Sequence, residues 1–173
     1  LKEKGLAHVP EDRQRMGLVT DFKAYENLIF GYHDQDPYSK SSIMKDNKIL
    51  DYAKKVMEEY DVRPRSPNLM TSNFSGGNQQ KIILSRELNE NPKILLVGQP
   101  TRGVDIGAIE FIHQRLIDMR DKGAAILLVS VELEEVLSLS DRIVVMFDGN
   151  IVGERINKDV TDRELGLLMA GVA

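Results

Sequence analysis

The 173-residue chain contains no cysteine, which excludes disulfide bridges and thiolate metal sites. No apolar run approaches the ~18 residues that a bilayer-spanning helix needs, and no signal-peptide pattern precedes the first strand-like run. No basic block stands out: 23 Lys and Arg face 27 Asp and Glu, for a formal charge of −4. That balance argues against a nucleic-acid surface. Internal repeats and low-complexity tracts are also absent. The expectation is a soluble chain whose link to a membrane comes through a partner. Leu1 stands first rather than Met, with a strand-like run close behind, so a piece of a longer polypeptide is expected. What is present suffices for a core: 42% of residues are hydrophobic, in about one domain's worth of chain.

Taken in order, Leu6 to Val9 is a short apolar run stopped by Pro10 and reads as a buried strand. A charged loop, Glu11 to Arg15, is closed by Gly17. Phe22 to Tyr32 predicts one helix, and His33 to Ser42 a polar loop. Asn47 to Tyr60 carries Ile49, Ala53, Val56 and Tyr60 on one helical stripe. Pro64 and Pro67 mark a linker. After the next helix, Ile94 to Val97 is apolar without alternation, as a central parallel strand is. Gly107 to Lys122 predicts an amphipathic helix with Gly123 as its cap, Ala124 to Val129 a strand, and Leu133 to Leu139 a short helix. Ile143 to Met146 predicts a strand, turned at Asp148-Gly149 onto Ile151-Val152. Thr161 to Glu164 is a capping box opening a last helix. His33 reads as a loop residue and His113 as a helix-surface one, since neither has a second metal ligand near it in sequence.

The stretch that organises the chain is Asn73-Phe74-Ser75-Gly76-Gly77-Asn78-Gln79-Gln80-Lys81. Ser75 is a good N-cap residue, and the two glycines admit another group close to the backbone. A helix start of this kind presents free N–H groups and the positive end of the helix dipole, which suits an anion such as phosphate. By itself the tripeptide is more often an ordinary capped helix than a site. The whole string resembles the signature motif of ATP-binding cassette (ABC) ATPases, in the Asn-Gln-Gln form of sugar and nucleoside importers. The other pieces follow in that family's order. Glu11-Asp12-Arg13 falls at the Q-loop, with Glu11 where Gln is usual, in the form of second cassettes of importers that fuse two in one chain. Asn27-Leu28 fits the segment after it. Pro100, Thr101, Arg102, Gly103 and Asp105 fit the D-loop.

The resemblance implies an α/β fold: a partial P-loop NTPase with a mostly parallel core sheet (Leu6–Val9, Ile94–Val97, Ala125–Val129 and Ile143–Met146) and an inserted helical subdomain. The expected division is core-sheet portions at 1–21 and 92–160, a helical subdomain with the signature at 22–91, and a C-terminal helix at 161–173. The phosphate-cradling Walker A loop would lie upstream, since no Gly-Lys dipeptide occurs in the chain. The family's cofactors are ATP and Mg²⁺. Its usual Mg²⁺-ordering Asp falls at Gly98, its catalytic Glu at Gln99 and its switch His at Val131. An amide cannot take a proton from water, and glycine offers a metal no oxygen. The resemblance therefore implies nucleotide contacts at Ser75, Gly76, Gly77, Asn78, Gln79, Glu11, Asp105 and Val131, a degenerate catalytic position at Gln99, and no metal site.

In the family two cassettes close head to tail, each signature facing the other's Walker A. The partners implied are a first cassette of the same polypeptide or a second copy, the transmembrane permease subunits and, indirectly, a substrate-binding protein, at the cytoplasmic face of the membrane. The full-length protein would be a transport-coupled ATPase and this piece alone inactive. The alternative is a catalytically silent scaffold or regulatory cassette docked on the permease, which the altered Gly98, Gln99 and Val131 favour and the intact signature opposes. A chromosome-maintenance or repair ATPase is disfavoured by the lack of coiled-coil heptads and of a basic surface.

Overall fold

The computed structural model describes residues 4–41 and 43–172. Leu1, Ser42 and Ala173, which bound the expected start, the polar loop and the last segment, lie outside the described residues. The elements in order are β1 (Leu6–Val9), α1 (Ala24–Leu28), β2 (Ser39–Lys40), β3 (Ile43–Met44), α2 (Asp46–Glu59), α3 (Gly76–Leu88), β4 (Ile94–Gly98), α4 (Ile106–Asp121), β5 (Ala125–Val129), α5 (Leu133–Leu139), β6 (Arg142–Phe147), β7 (Asn150–Ile156) and α6 (Asp162–Met169). They divide into two units, Leu1–Leu127 and Leu128–Ala173. Among the described residues no helix is long and apolar enough to cross a membrane.

In the first unit β1 and β4 run parallel, Leu6 opposite Ile94 and Val9 opposite Val97, and the strand order is β1-β4-β5. Ala7, Val9, Leu95 and Val97 are buried on one face of the pair. Helix α3 packs against β1, with Ile82, Ile83 and Leu84 fully buried and Leu88 nearly so. It also packs on α1 and α4. This helix is therefore a central beam, and its N-terminus is fixed by its buried body.

The charged stretch after β1 is more ordered than a loop. Asp12 accepts a hydrogen bond from Arg15 N at 3.0 Å and starts a π-helical turn, Arg13–Gly17. The helix expected over Phe22 to Tyr32 is shorter. Ile29 leaves helical geometry (φ −105°, ψ 3°) and Gly31 takes φ +86°, so a series of turns follows. Ser39–Lys40, inside the expected polar loop, and Ile43–Met44, just past its end, form a small antiparallel pair. Buried Tyr38 meets Tyr52 of α2 edge-on at 5.0 Å.

In the second unit β6 pairs antiparallel with β7 across Asp148 and Gly149, both left-handed (φ +46° and +74°) as a two-residue hairpin demands. Ile143 and Val145 pack with Leu165 and Leu168 of α6. The Asn157 amide donates to the carbonyls of Leu137 (2.6 Å) and Ser140 (2.7 Å). Here the structure corrects the sequence reading, which put Ile143–Met146 into the core sheet. Among the described residues β6 forms a two-stranded sheet with β7. A partner one tight turn away closes a far smaller loop than a distant strand does.

Candidate functional site

The N-terminus of α3 is built by Ser75, whose hydroxyl accepts from Asn78 N (3.5 Å) and from Asn78 Nδ2 (2.9 Å). Asn78 Oδ1 in turn accepts from Arg63 N at 2.6 Å. The N–H groups of a helix's first turn have no intrahelical acceptor and carry the positive end of its dipole. Both glycines are there because something stands where a side chain would. A Cβ on Gly76 would lie 2.6 Å from Arg13 Nη2 and 2.9 Å from the carbonyl oxygen of Gly103. On Gly77 it would lie 3.0 Å from Asp105 Oδ2 and 3.1 Å from Ala108 Cβ. Asp105 itself caps α4, its Oδ1 accepting from Ala108 N at 2.9 Å. The signature turn and the D-loop thus form one packed surface.

At the carboxyl ends of β1 and β4, Glu11, Gly98 and Gln99 come together. A Cβ on Gly98 would sit 3.2 Å from Glu11 N, so the two strand ends close against each other where a carboxylate would otherwise project. Gln99 is half-buried with φ +45°, a conformation that costs a non-glycine residue about 1 kcal/mol. Glu11 Oε1 accepts from Arg102 Nη1 at 2.5 Å, pinning the D-loop to the end of β1. Among the described residues no group of three or more His, Asp or Glu gathers to hold a metal. The end of β4 does not fit Mg²⁺, because Gly98, where the resemblance implies a Mg²⁺-ordering Asp, has no side-chain oxygen. The residues at the start of α3 do fit a phosphate, through backbone N–H groups and the Ser75 hydroxyl.

Gln79 was expected to meet nucleotide. Its side chain turns inward, 2% exposed, with Nε2 donating to Thr71 O at 3.1 Å and Oε1 accepting from Gln14 at 3.2 Å. Val131 is 62% exposed and lies in the second unit. Sequence reasoning passed over Arg13 and Gln14, which engage the D-loop and α3. Their signal was only their place in the charged loop.

Comparison with known proteins decides the family. The guanosine import ATP-binding protein NupO of Bacillus subtilis is 46% identical to this chain over 171 residues, 99% of the chain. The chain belongs to the ATP-binding cassette family. The nucleoside import ATP-binding protein NupA of Lactococcus lactis is 48% identical over the same length. A ribose import ATP-binding protein of Oceanobacillus iheyensis is 34% identical over 161 residues, 93% of the chain. The chain spans about a third of these relatives: 34%, 34% and 32% of their lengths. Among solved structures, a cassette in a dimeric post-hydrolysis state with ADP and Pi superposes with a TM-score of 0.70 at 25% identity, covering 90% of this chain and 64% of that one. Another, from an ABC transporter without nucleotide, superposes at 0.69 and 23% identity, over 97% of this chain and 66% of that one. No family model matches the chain. The cassette fold is thus present over part of its usual extent.

Proposed function

We propose that this cassette segment is the later part of the second, degenerate cassette of an importer ATP-binding protein. Its segments would be core portions at 1–21 and 92–160, the latter ending in the separate β6–β7 pair, a helical subdomain at 22–91 and a C-terminal helix at 161–173. It lends Ser75, Gly76, Gly77 and Asn78 to ATP held by a first cassette of the same polypeptide, or by a second copy. The observation that carries this reading is the capped, glycine-built start of α3 held against the D-loop. The cargo class is a nucleoside, on the strength of relatives named for guanosine and nucleoside import, with a simple sugar as the broader class. The protein would sit peripherally on the cytoplasmic face, bound to permease subunits and served by a substrate-binding protein, with no nucleic-acid role. ATP with Mg²⁺ is hydrolysed at the partner's site. The positions Gly98, Gln99 and Val131, taken one by one, carry neither the carboxylates nor the imidazole that this chemistry needs.

The test is ATPase activity of the complete protein with its membrane subunits. Gly76→Asp places a carboxylate where phosphate binds and abolishes turnover. Gln99→Ala leaves turnover nearly unchanged. Equal damage from both gives Gln99 a catalytic part and refutes the degenerate site. The residues at Gly98, Gln99 and Val131, none of them a carboxylate or an imidazole, favour a second reading, a silent scaffold docked on the permease, and that reading wins if neither change matters. The 173-residue chain alone hydrolyses no ATP; micromolar binding of free ATP by it would contradict its dependence on a second cassette.

A further inference from the structure

We propose that Arg13 is a positioning residue that locks the D-loop onto the signature turn, an inference that rests on the function proposed above. Its guanidinium spans two loops distant in sequence. Nη1 donates to Arg102 O at 2.6 Å and Nη2 to Gly103 O at 3.3 Å. The same Nη2 fills the space beside Gly76, 2.6 Å from where a Cβ would stand. Nε is buried and donates no hydrogen bond, so the two Nη groups carry the guanidinium's bonds to the loop.

The turn that carries Arg13 is anchored on both sides. Glu11 binds Arg102 in front of it, and Gln14 behind it binds Gln79 on α3. Gly103 is left-handed (φ +65°) and Gly76 opens a helix, so both segments have wide backbone freedom that the planar fork of Arg13 restricts. Lysine, with one ammonium, cannot bridge two carbonyls in fixed geometry. The fork therefore sets the spacing between the signature N–H groups and the D-loop. A displacement of about 1 Å at such a place slows chemistry by up to ~100-fold while leaving ground-state binding largely intact.

The experiment is steady-state ATPase kinetics of the complete protein with its membrane subunits, alongside thermal unfolding. Arg13→Met keeps the apolar stem and loses every donor; Arg13→Lys keeps the charge. Expected for Arg13→Met is a fall of at least about 10-fold in kcat, with KM for ATP within about twofold and an unchanged Tm. Arg13→Lys recovers only part of that loss. A kcat within twofold of wild type for Arg13→Met overturns the proposal, as does full recovery by Arg13→Lys, which would make charge and not the fork the active feature. A parallel fall in kcat and Tm also overturns it, reducing Arg13 to a stability contact. Gly76→Asp separates the two levels. If it leaves turnover intact, the proposed function fails; if it abolishes turnover while Arg13→Met is neutral, only the role of Arg13 fails.

Discussion

Replacing Asn27 by alanine removes one acceptor and two donors from a place water does not reach. Asn27 is 0% exposed. Its Oδ1 accepts from Val19 N at 2.9 Å, and its Nδ2 donates to Val19 O and to Thr71 Oγ1, both at 2.8 Å. The fully buried Thr71 hydroxyl and two backbone groups of Val19 would lose their partner together. Each orphaned buried group costs about 1–3 kcal/mol. Val19 is only half-buried, so entering water recovers part of its share. The expected loss is about 3–4 kcal/mol, a large part of a domain's usual ~5–15 kcal/mol. It would be read as a lower urea midpoint at unchanged slope. Asn27→Asp should be no better at neutral pH, since it keeps the acceptor, loses both donors and buries a charge. A loss below about 1 kcal/mol for Asn27→Ala would refute the claim that this amide fastens the segments around it.

Three further outcomes follow from the same geometry. Arg86 and Glu87 form a nearly dry ion pair at 2.8 Å, and Arg86 also donates to Gly17 O at 2.9 Å; Arg86→Met takes the countercharge from buried Glu87 and should cost about 3–5 kcal/mol in thermal unfolding. Gly17→Ala drives a methyl to 2.6 Å from Ile83 Cδ1 and 3.2 Å from Pro10 Cγ, an overpacking expected to cost about 1–3 kcal/mol in urea titration. Burial pushes the Tyr60 phenol up to about 12 from its ordinary 10. The folded state then holds that proton more tightly than the unfolded one, so its contribution is complete below pH 10 and is lost as pH rises towards 12. Tyr60→Phe should flatten the alkaline fall in stability across that window; an unchanged slope would refute the assignment.

Elements whose signal is local were readable from sequence. Ser75 and the Gly pair announced the start of α3, Gly123 marked the end of α4, and Asp148-Gly149 gave the hairpin. Elements set by longer-range structure were not. The apolar spacing over Phe22 to Tyr32 continues past the point where Gly31 turns left-handed. The strands of the β2–β3 pair, two residues each, are too short for alternation to register. An apolar run at Ile143 says strand but not which neighbour it takes. At the site, residue types pointed to the turn at Ser75 and to the loop ahead of α4, and the structure packs the two together. The inward turn of Gln79 and the reach of Arg13 to carbonyls 89 and 90 residues away leave no mark in spacing, because a charged side chain in a loop reads the same whether it is solvated or clamped.

The fastening around Asn27 also says where this chain can lengthen. Residues 20–24 and 69–72 are zipped by backbone bonds: Ala24 N to Leu69 O (2.9 Å), Thr71 N to Phe22 O (2.8 Å) and Ser72 N to Thr20 O (3.0 Å). With Val19 and Thr71 also held by one amide, an added residue between 19 and 27 shifts every one of those partners out of register. The stretch from His33 to Pro37 is exposed, and extra residues there cost only the slowly growing entropy of a longer surface loop. A tag or reporter peptide belongs at His33-Asp34, and length variation among sequences of this fold should collect there and not ahead of α1.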